Sequence, residues 1–119
     1  MSAPLVYKIV DRTSWGIAQA DGIYRGSADD ARDGFIHLST ADQAIGTAAK
    51  HFAGQADLLL IAFRPDALGP SLKWEPSRGG TLFPHLYGDL DPKLAVAVHD
   101  LPLGPDGHLF PDLSETDGL

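Results

Sequence analysis

The longest apolar run in the chain, Leu58–Phe63, constrains the fold more than any other segment. It is far shorter than the roughly 20 apolar residues that a membrane-spanning helix needs. A short, continuously apolar run of this kind is typical of a strand that is buried on both faces. We therefore expect a central strand here, with the rest of the chain covering both of its sides.

Strand signals recur along the whole chain. Short runs rich in β-branched or aromatic residues are found at Leu5–Val10, Gly34–Ser39, Leu72–Glu75, Phe83–Leu86 and Leu94–His99. Pro84 confines the fourth of these runs to a sheet edge or to the start of a strand, because proline has no N–H for a ladder hydrogen bond.

Helix signals are confined to the N-terminal half. Asp11 or Thr13 can cap a first helix that runs to about Ala20. Thr40 and Gln43 form a capping box, which predicts a second helix to about residue 52. Two helices followed by several short strands predict the α+β class with a mixed or antiparallel sheet.

Length, charge and composition limit the function classes. The 119 residues fit one domain, which we place at residues 1–101, followed by an acidic, Gly/Pro-rich tail at 102–119 that we expect to be poorly ordered. The net charge of −7 and the lack of a basic stripe argue against bulk nucleic-acid binding. The absence of cysteine excludes disulfides and thiolate chemistry. No signal peptide or membrane span is evident, so we expect a cytoplasmic protein.

A first candidate site lies in Gly34–Ser39. Residues two apart in a strand share a face, so His37 and Ser39 point away from Ile36 and Leu38, which form the obvious core face. An imidazole and a hydroxyl then lie together just before a helix N-terminus, where anionic groups are favoured. The alternative is a half-buried histidine with an ordinary hydrogen bond and a serine that only caps the helix.

Two further candidate sites follow. If extended, Phe83, His85 and Tyr87 line one face, which suits a planar ligand, or else they form an aromatic edge strand that covers the core. Glu75 is the best-placed glutamate for acid–base chemistry, unless it only pairs with a neighbouring cation at the surface while Trp74 fills the core.

Other familiar sites are not indicated. The five histidines show no pair at metal-ligand spacing, so we expect no metal site. The chain has neither a Gly-x-Gly-x-x-Gly motif after a strand nor a Walker loop. The sequence says nothing about the oligomeric state.

Three strings together resemble the bacterial and plant family called domain of unknown function 952. They are Asp-Gly-Phe-Ile-His-Leu-Ser at 33–39, Trp-Glu at 74–75 and Phe-Pro-His-Leu-Tyr-Gly at 83–88, and the resemblance covers about residues 5–101. The family's fold is similar to that of the ADP-ribosyltransferases, which hold NAD in a cleft. The resemblance therefore implies an ADP-ribosyltransferase-like α+β fold, with a mixed, split β-sheet and two N-terminal helices, and NAD as the candidate cofactor.

The resemblance also implies roles for residues that would hold the nucleotide. His37 and Ser39 match a histidine and a following Ser or Thr, two residues apart, that contact NAD in the transferases. His37 would anchor the ribose. Arg25 or Arg78 would hold the pyrophosphate, because a guanidinium matches phosphate geometry.

The roles implied for the reacting end of the nucleotide are less complete. Tyr87 or Trp74 would stack on the nicotinamide, and His85 or Glu75 would orient the nucleophile or stabilise the cation. Toxin-like transferases end with a catalytic glutamate, and the last predicted strand, Leu94–His99, has none. The chain thus departs from the transferase pattern at the catalytic position.

Three functions follow from these observations. The first is ADP-ribosyl or glycosyl transfer on a NAD-like nucleotide. The second is a non-catalytic module that binds a small ligand or a protein on the same fold. The third is an interaction domain that exposes Phe83 and Tyr87 at an interface.

Overall fold

The computed structural model of the chain describes residues 4–113, apart from the side chain of Arg78. The helices are α1 (Arg12–Asp21), α2 (Ala28–Asp33), α3 (Ala41–His51) and the short α4 (Pro65–Leu68). The strands are β1 (Val6–Asp11), β2 (Ile36–His37), β3 (Ser39–Thr40), β4 (Leu58–Phe63), β5 (Leu72–Pro76), β6 (Leu82–Leu86), β7 (Ala95–Leu101), β8 (Leu103–Gly104) and β9 (Gly107–His108).

The strands form two principal sheets and a small hairpin. The four-stranded sheet has the order β3-β1-β4-β7, the three-stranded sheet has the order β2-β6-β5, and β8 pairs with β9. All strand pairings within the described residues are antiparallel. The α+β class is therefore confirmed, and of the mixed or antiparallel sheet expected from the sequence the antiparallel form is confirmed, whereas the mixed sheet implied by the resemblance is wrong for the described strands.

Strand β4 lies at the centre of the larger sheet, as its apolar run predicts. All six of its residues are buried, and it pairs with β1 on one side and β7 on the other. Alternate side chains enter two separate cores, with Leu59, Ile61 and Phe63 in one and Leu58, Leu60 and Ala62 in the other. Burial on both faces explains why this strand has no polar residue.

Each core has its own cover. The first core lies between the larger sheet, Trp15 and Ala18 of α1, and the apolar face of the smaller sheet, which includes Ile36 and Leu86. The second core lies under α3, which contributes Ala44 and Ala48. The smaller sheet therefore has one face in the core and the other available for polar residues.

One extended segment connects the two sheets. Its first part, β2, belongs to the smaller sheet, and its second part, β3, belongs to the larger one. Leu38 lies between them, buried in the first core, and its backbone N–H donates to the carbonyl of Pro84 at 3.0 Å. The chain thus changes sheets at Leu38, and the candidate site lies beside this point.

The structure corrects the predicted elements in two places. Among the described residues, three helices, not two, precede β4, because Ser27 and Asp30 form a capping box that starts α2 between the two predicted helices. Beyond Leu101, β8 and β9 form a hairpin, and Phe110 and Leu113 pack against the second core, so this part of the expected tail is structured. Residues 114–119 lie outside the described residues.

Candidate functional site

A cleft with a volume of about 270 Å³ opens where the two sheets separate. Residues of β1, α2, β2, β3, α3 and β6 form its wall. The cleft opens beside the end of β3, which is short: it pairs with Val6 and Tyr7 only, so the edge of β1 beyond Tyr7 is not paired with β3. Lys8 is the first residue of this uncovered edge.

Asp30 connects three of the elements that form the wall. One of its carboxylate oxygens accepts from Lys8 Nζ and from the backbone N–H of Ser27, both at 2.8 Å. The other accepts from the backbone N–H of His37 at 3.1 Å and lies 2.6 Å from His37 Nδ1. Since Asp30 is only 3% exposed, this network compensates for the burial of its charge.

The pKa values of this pair reflect burial and mutual attraction. Burial by itself raises the pKa of Asp30, but the hydrogen bond from His37 and the charge of Lys8 outweigh it and hold that pKa well below its ordinary value. Burial lowers the pKa of Lys8, and the nearby charge of Asp30 offsets this only in part. An ion pair inside the protein thus forms one side of the cleft.

His37 is held by a carboxylate at each ring nitrogen. Its Nδ1 faces Asp30 at 2.6 Å, and its Nε2 lies 3.0 Å from Asp33 Oδ2. Ionised carboxylates only accept, so both contacts are hydrogen bonds only when the ring is in the imidazolium form. His37 is therefore fixed in orientation by two acidic residues of α2.

His85 is held by a carboxylate at one ring nitrogen only. Glu75 Oε1 accepts from Tyr87 Oη at 2.7 Å and lies 2.8 Å from His85 Nδ1. The hydrogen bonds from Tyr87 and from His85 lower the pKa of Glu75 below its ordinary value. With Nδ1–H donating to Glu75, the lone pair of the neutral ring is on Nε2, which has no partner among the described residues.

The two histidines are brought together by strand pairing. His37 of β2 lies opposite His85 of β6, and their ring centroids are 5.6 Å apart. Phe35 packs against both rings, stacking on His85 with a centroid distance of 4.0 Å and lying 4.6 Å from His37. Phe35 also lies 5.2 Å from the ring of Tyr87. An aromatic cluster therefore supports the polar wall of the cleft.

Five of the predicted residues lie in or against this wall. His37, Ser39 and His85 line the cleft. Glu75 and Tyr87 lie behind His85: Glu75 binds His85, and Tyr87 binds Glu75. The hydroxyl of Ser39 is 2.9 Å from that of Thr47 in α3, which also lines the cleft. The sequence strings at 33–39 and 83–88 thus meet in space.

The other predicted residues lie elsewhere. Trp74 does not fill the core: it is 44% exposed on edge strand β5, and it does not line the cleft. Arg25 is exposed and also does not line it. The side chain of Arg78 lies outside the described part of the structure. Phe83 is buried in the cleft wall and is therefore not an exposed interface residue.

The acidic and cationic partners of His37 are not among the residues predicted from the sequence. Lys8 carried a signal, because it is the one charged residue in the apolar run Leu5–Val10. Asp30 carried another, since Ser27 and Asp30 have the spacing of a capping box. Asp33 carried no signal of its own.

The described wall of the cleft has balanced charges. Its cationic side chains are Lys8, Arg32 and Lys50, and its carboxylates are Asp29, Asp30 and Asp33. Arg32 binds both remaining carboxylates, at 3.2 Å to Asp29 and 3.0 Å to Asp33. Within residues 4–113, no group of His, Asp or Glu side chains is arranged to hold a metal ion, and no helix is long and apolar enough to cross a membrane.

Comparison with known proteins now identifies the family. Residues 9–98 match the model of the family described as "Protein of unknown function (DUF952)". The chain belongs to the DUF952 family. The matched range begins just after Lys8 and includes Asp30, His37, Glu75 and His85, so the family assignment covers both acid–histidine pairs.

Solved structures of protein CC0527 from Caulobacter crescentus are similar to this DUF952 chain. The crystal structure of CC0527 has 52% sequence identity to this chain and a TM-score of 0.84. The match covers 87% of this chain and 91% of the CC0527 chain. Its solution NMR structure is also 52% identical, with a TM-score of 0.78 and coverage of 87% and 90%. No curated protein matches the chain.

Proposed function

We propose that this DUF952 protein binds a NAD-like nucleotide, with a nucleoside-sized part in the cleft, and that His85 transfers a proton there. The observation that carries the proposal is the Glu75–His85 pair, which leaves His85 Nε2 without a partner among the described residues, in the wall of the cleft. The proposal includes the likeness to the ADP-ribosyltransferase fold. That likeness is supported by a cleft at the point where two antiparallel sheets separate.

The size of the cleft determines how much of the ligand it takes. Its volume of about 270 Å³ is close to the lower end of the roughly 300–1,000 Å³ typical of small-molecule sites. A base with its ribose fits this volume better than a whole dinucleotide. The phosphates would then lie towards the exposed side chain of Lys50, since Lys8 and Arg32, the other cationic side chains of the described wall, already bind carboxylates.

The Glu75–His85 pair is suited to general acid–base chemistry. The carboxylate fixes the ring with Nε2 as acceptor and stabilises the imidazolium that forms when Nε2 takes a proton. In a glycosyl transfer, that proton would come from the attacking nucleophile as the nicotinamide leaves. The carboxylates of Asp29 and Asp33 line the cleft and would stabilise the oxocarbenium-like transition state.

A second candidate function is a non-catalytic module that binds a small ligand in the same cleft. It is favoured by the last long strand, β7, which contains no glutamate. The carboxylate in β7, Asp100, is exposed, pairs with Arg12 at 2.8 Å and does not line the cleft. The strand in which a toxin-like transferase has its catalytic glutamate therefore contains no glutamate in this chain.

The test is an NMR titration of labelled protein with NAD, ADP-ribose and adenosine, combined with chromatography for released nicotinamide. We expect the signals of His37, His85 and Phe83 to shift, while the indole of Trp74, outside the cleft, stays unchanged as an internal control. His85→Gln should abolish nicotinamide release but retain binding. Unmoved histidine signals at millimolar concentrations of all three ligands would refute the proposal, and binding without release would favour the second candidate.

A further inference from the structure

We propose that Lys8 recognises the ligand of this cleft by donating a hydrogen bond to a neutral carbonyl oxygen. This inference rests on the proposed function and names the ligand group that the cleft selects. In a NAD-like nucleotide, that group is the carboxamide of the nicotinamide.

The hydrogen bonds of Lys8 leave one donor available. An ammonium group has three N–H donors. Lys8 Nζ donates to Asp30 Oδ2 at 2.8 Å and to the carbonyl of His37 at 3.1 Å. No third acceptor is found among residues 4–113, although Lys8 is only 5% exposed and lines the cleft. A buried donor without a partner is costly, so an acceptor from a ligand would be favoured here.

The position of Lys8 is fixed before any ligand binds. Its two hydrogen bonds join it to α2 and to β2, which hold the ammonium group from two directions. The pairing of β1 with β3 ends at the pair Tyr7–Ser39, and Lys8 is the next residue of β1. Ser39 follows Leu38, the residue at which the chain changes sheets. Such preorganisation lowers the entropic cost of binding and makes the third N–H a directional contact.

Charge balance determines which kind of oxygen fits. The charge of Lys8 is matched one to one by Asp30 at 2.8 Å, and the single charge of Arg32 is shared between Asp29 and Asp33. A carboxylate or phosphate next to Lys8 would add a negative charge close to Asp30, which already matches the charge of Lys8. A neutral carbonyl accepts the third N–H without adding a charge, so the site favours an amide over an acid.

The experiment compares NAD with its deamidated analogue, in which the carboxamide is a carboxylate. For wild-type protein we expect NAD to bind at least about tenfold more tightly, measured by calorimetry. In the variant Lys8→Met/Asp30→Asn, which removes both charges of the pair together, this preference should disappear. The matched control Lys50→Met changes a lysine at the same cleft; it should weaken both nucleotides alike, because both carry the phosphates, and should therefore keep the preference.

A second measurement does not depend on how the variant folds. In wild-type protein labelled with ¹⁵N at lysine Nζ, NAD should shift the signal of Lys8. Equal affinity for the two nucleotides, tighter binding of the deamidated one, or an unmoved Lys8 signal in NAD-saturated protein would overturn the role of Lys8 and leave the proposed function standing. If neither nucleotide binds wild-type protein, the proposed function itself fails, and this inference fails with it.

Discussion

Replacing Asp30 by Asn removes the negative charge opposite Lys8 with almost no change in shape. In the wild type, Asp30 Oδ2 and Lys8 Nζ are 2.8 Å apart. The side chain of Asp30 is 2% exposed and that of Lys8 is 6% exposed, so water screens the pair very little. Removing one partner of a buried ion pair leaves the other charge uncompensated and costs about 3–5 kcal/mol. We expect Asp30→Asn to destabilise the fold by this amount.

The expected change in melting temperature follows from the size of the chain. Unfolding entropies of about 2.1 cal/mol/K per residue give about 0.25 kcal/mol/K for a chain of this length. A loss of about 3–5 kcal/mol then lowers the Tm by about 12–20 °C. Differential scanning calorimetry measures this shift, and urea unfolding gives the free energy independently.

The control is the double variant Lys8→Met/Asp30→Asn. It removes both charges, so it should recover most of the stability lost in Asp30→Asn, because a neutral pair has no unpaired buried charge. A double-mutant cycle built on the single variants gives the coupling energy between the two residues. A change below about 1 kcal/mol for Asp30→Asn, or a double variant less stable than Asp30→Asn, would refute the reasoning.

Three further predictions concern pH, backbone strain and the second acid–histidine pair. Because the folded-state pKa of Asp30 lies below its unfolded value of about 3.9, its stabilising contribution is complete above that value and is lost as the pH falls towards the folded-state pKa. Urea unfolding between pH 6 and pH 2 should therefore show a larger loss in the wild type than in the double variant. Gly26 has a φ of +105° and a Cβ there would be 2.7 Å from the Cβ of Asp30, so Gly26→Ala should lower stability by at least about 1–3 kcal/mol. Gly16→Ala, in open space at an exposed position of α1, should instead raise stability by about 0.5–1 kcal/mol, and thermal unfolding distinguishes the two signs. Tyr87→Phe removes the largest cause of the low pKa of Glu75, so that pKa should rise towards its ordinary value, as measured by NMR titration of the side-chain carboxyl, and an unchanged value would contradict the 2.7 Å contact.

Local signals in the sequence predict most of the secondary structure. The apolar run of β4 and the capping box of α3 are short-range patterns, and both elements form where these patterns predict them. Helix α2 was missed because it has no apolar stripe: its buried residue is Asp30, whose burial depends on Lys8, 22 residues earlier in the chain. An element that is stabilised by a charge far away in sequence has no periodicity to detect.

The candidate site could be predicted only in part for the same reason. The period of two in a strand correctly separates His37 from the core residues Ile36 and Leu38. The pairing of His37 with His85 depends on the register between β2 and β6, which are more than 40 residues apart in the chain. The position of Trp74 likewise depends on β5 being a sheet edge, which local sequence does not determine.

His37 and His85 both line the cleft, but their hydrogen bonds give them different chemistry. A general base needs a lone pair on a ring nitrogen that faces the substrate. Both ring nitrogens of His37 face carboxylates, at 2.6 Å and 3.0 Å. In the imidazolium form, which donates a hydrogen bond to each carboxylate, neither nitrogen has a lone pair that could accept a proton. His85 binds its carboxylate through Nδ1 alone, and Nε2 keeps its lone pair. In the proposed function, proton transfer therefore belongs to His85, which the sequence already offered as a catalytic candidate, whereas His37 is a positioning residue that holds Asp30 and the carbonyl bound by Lys8.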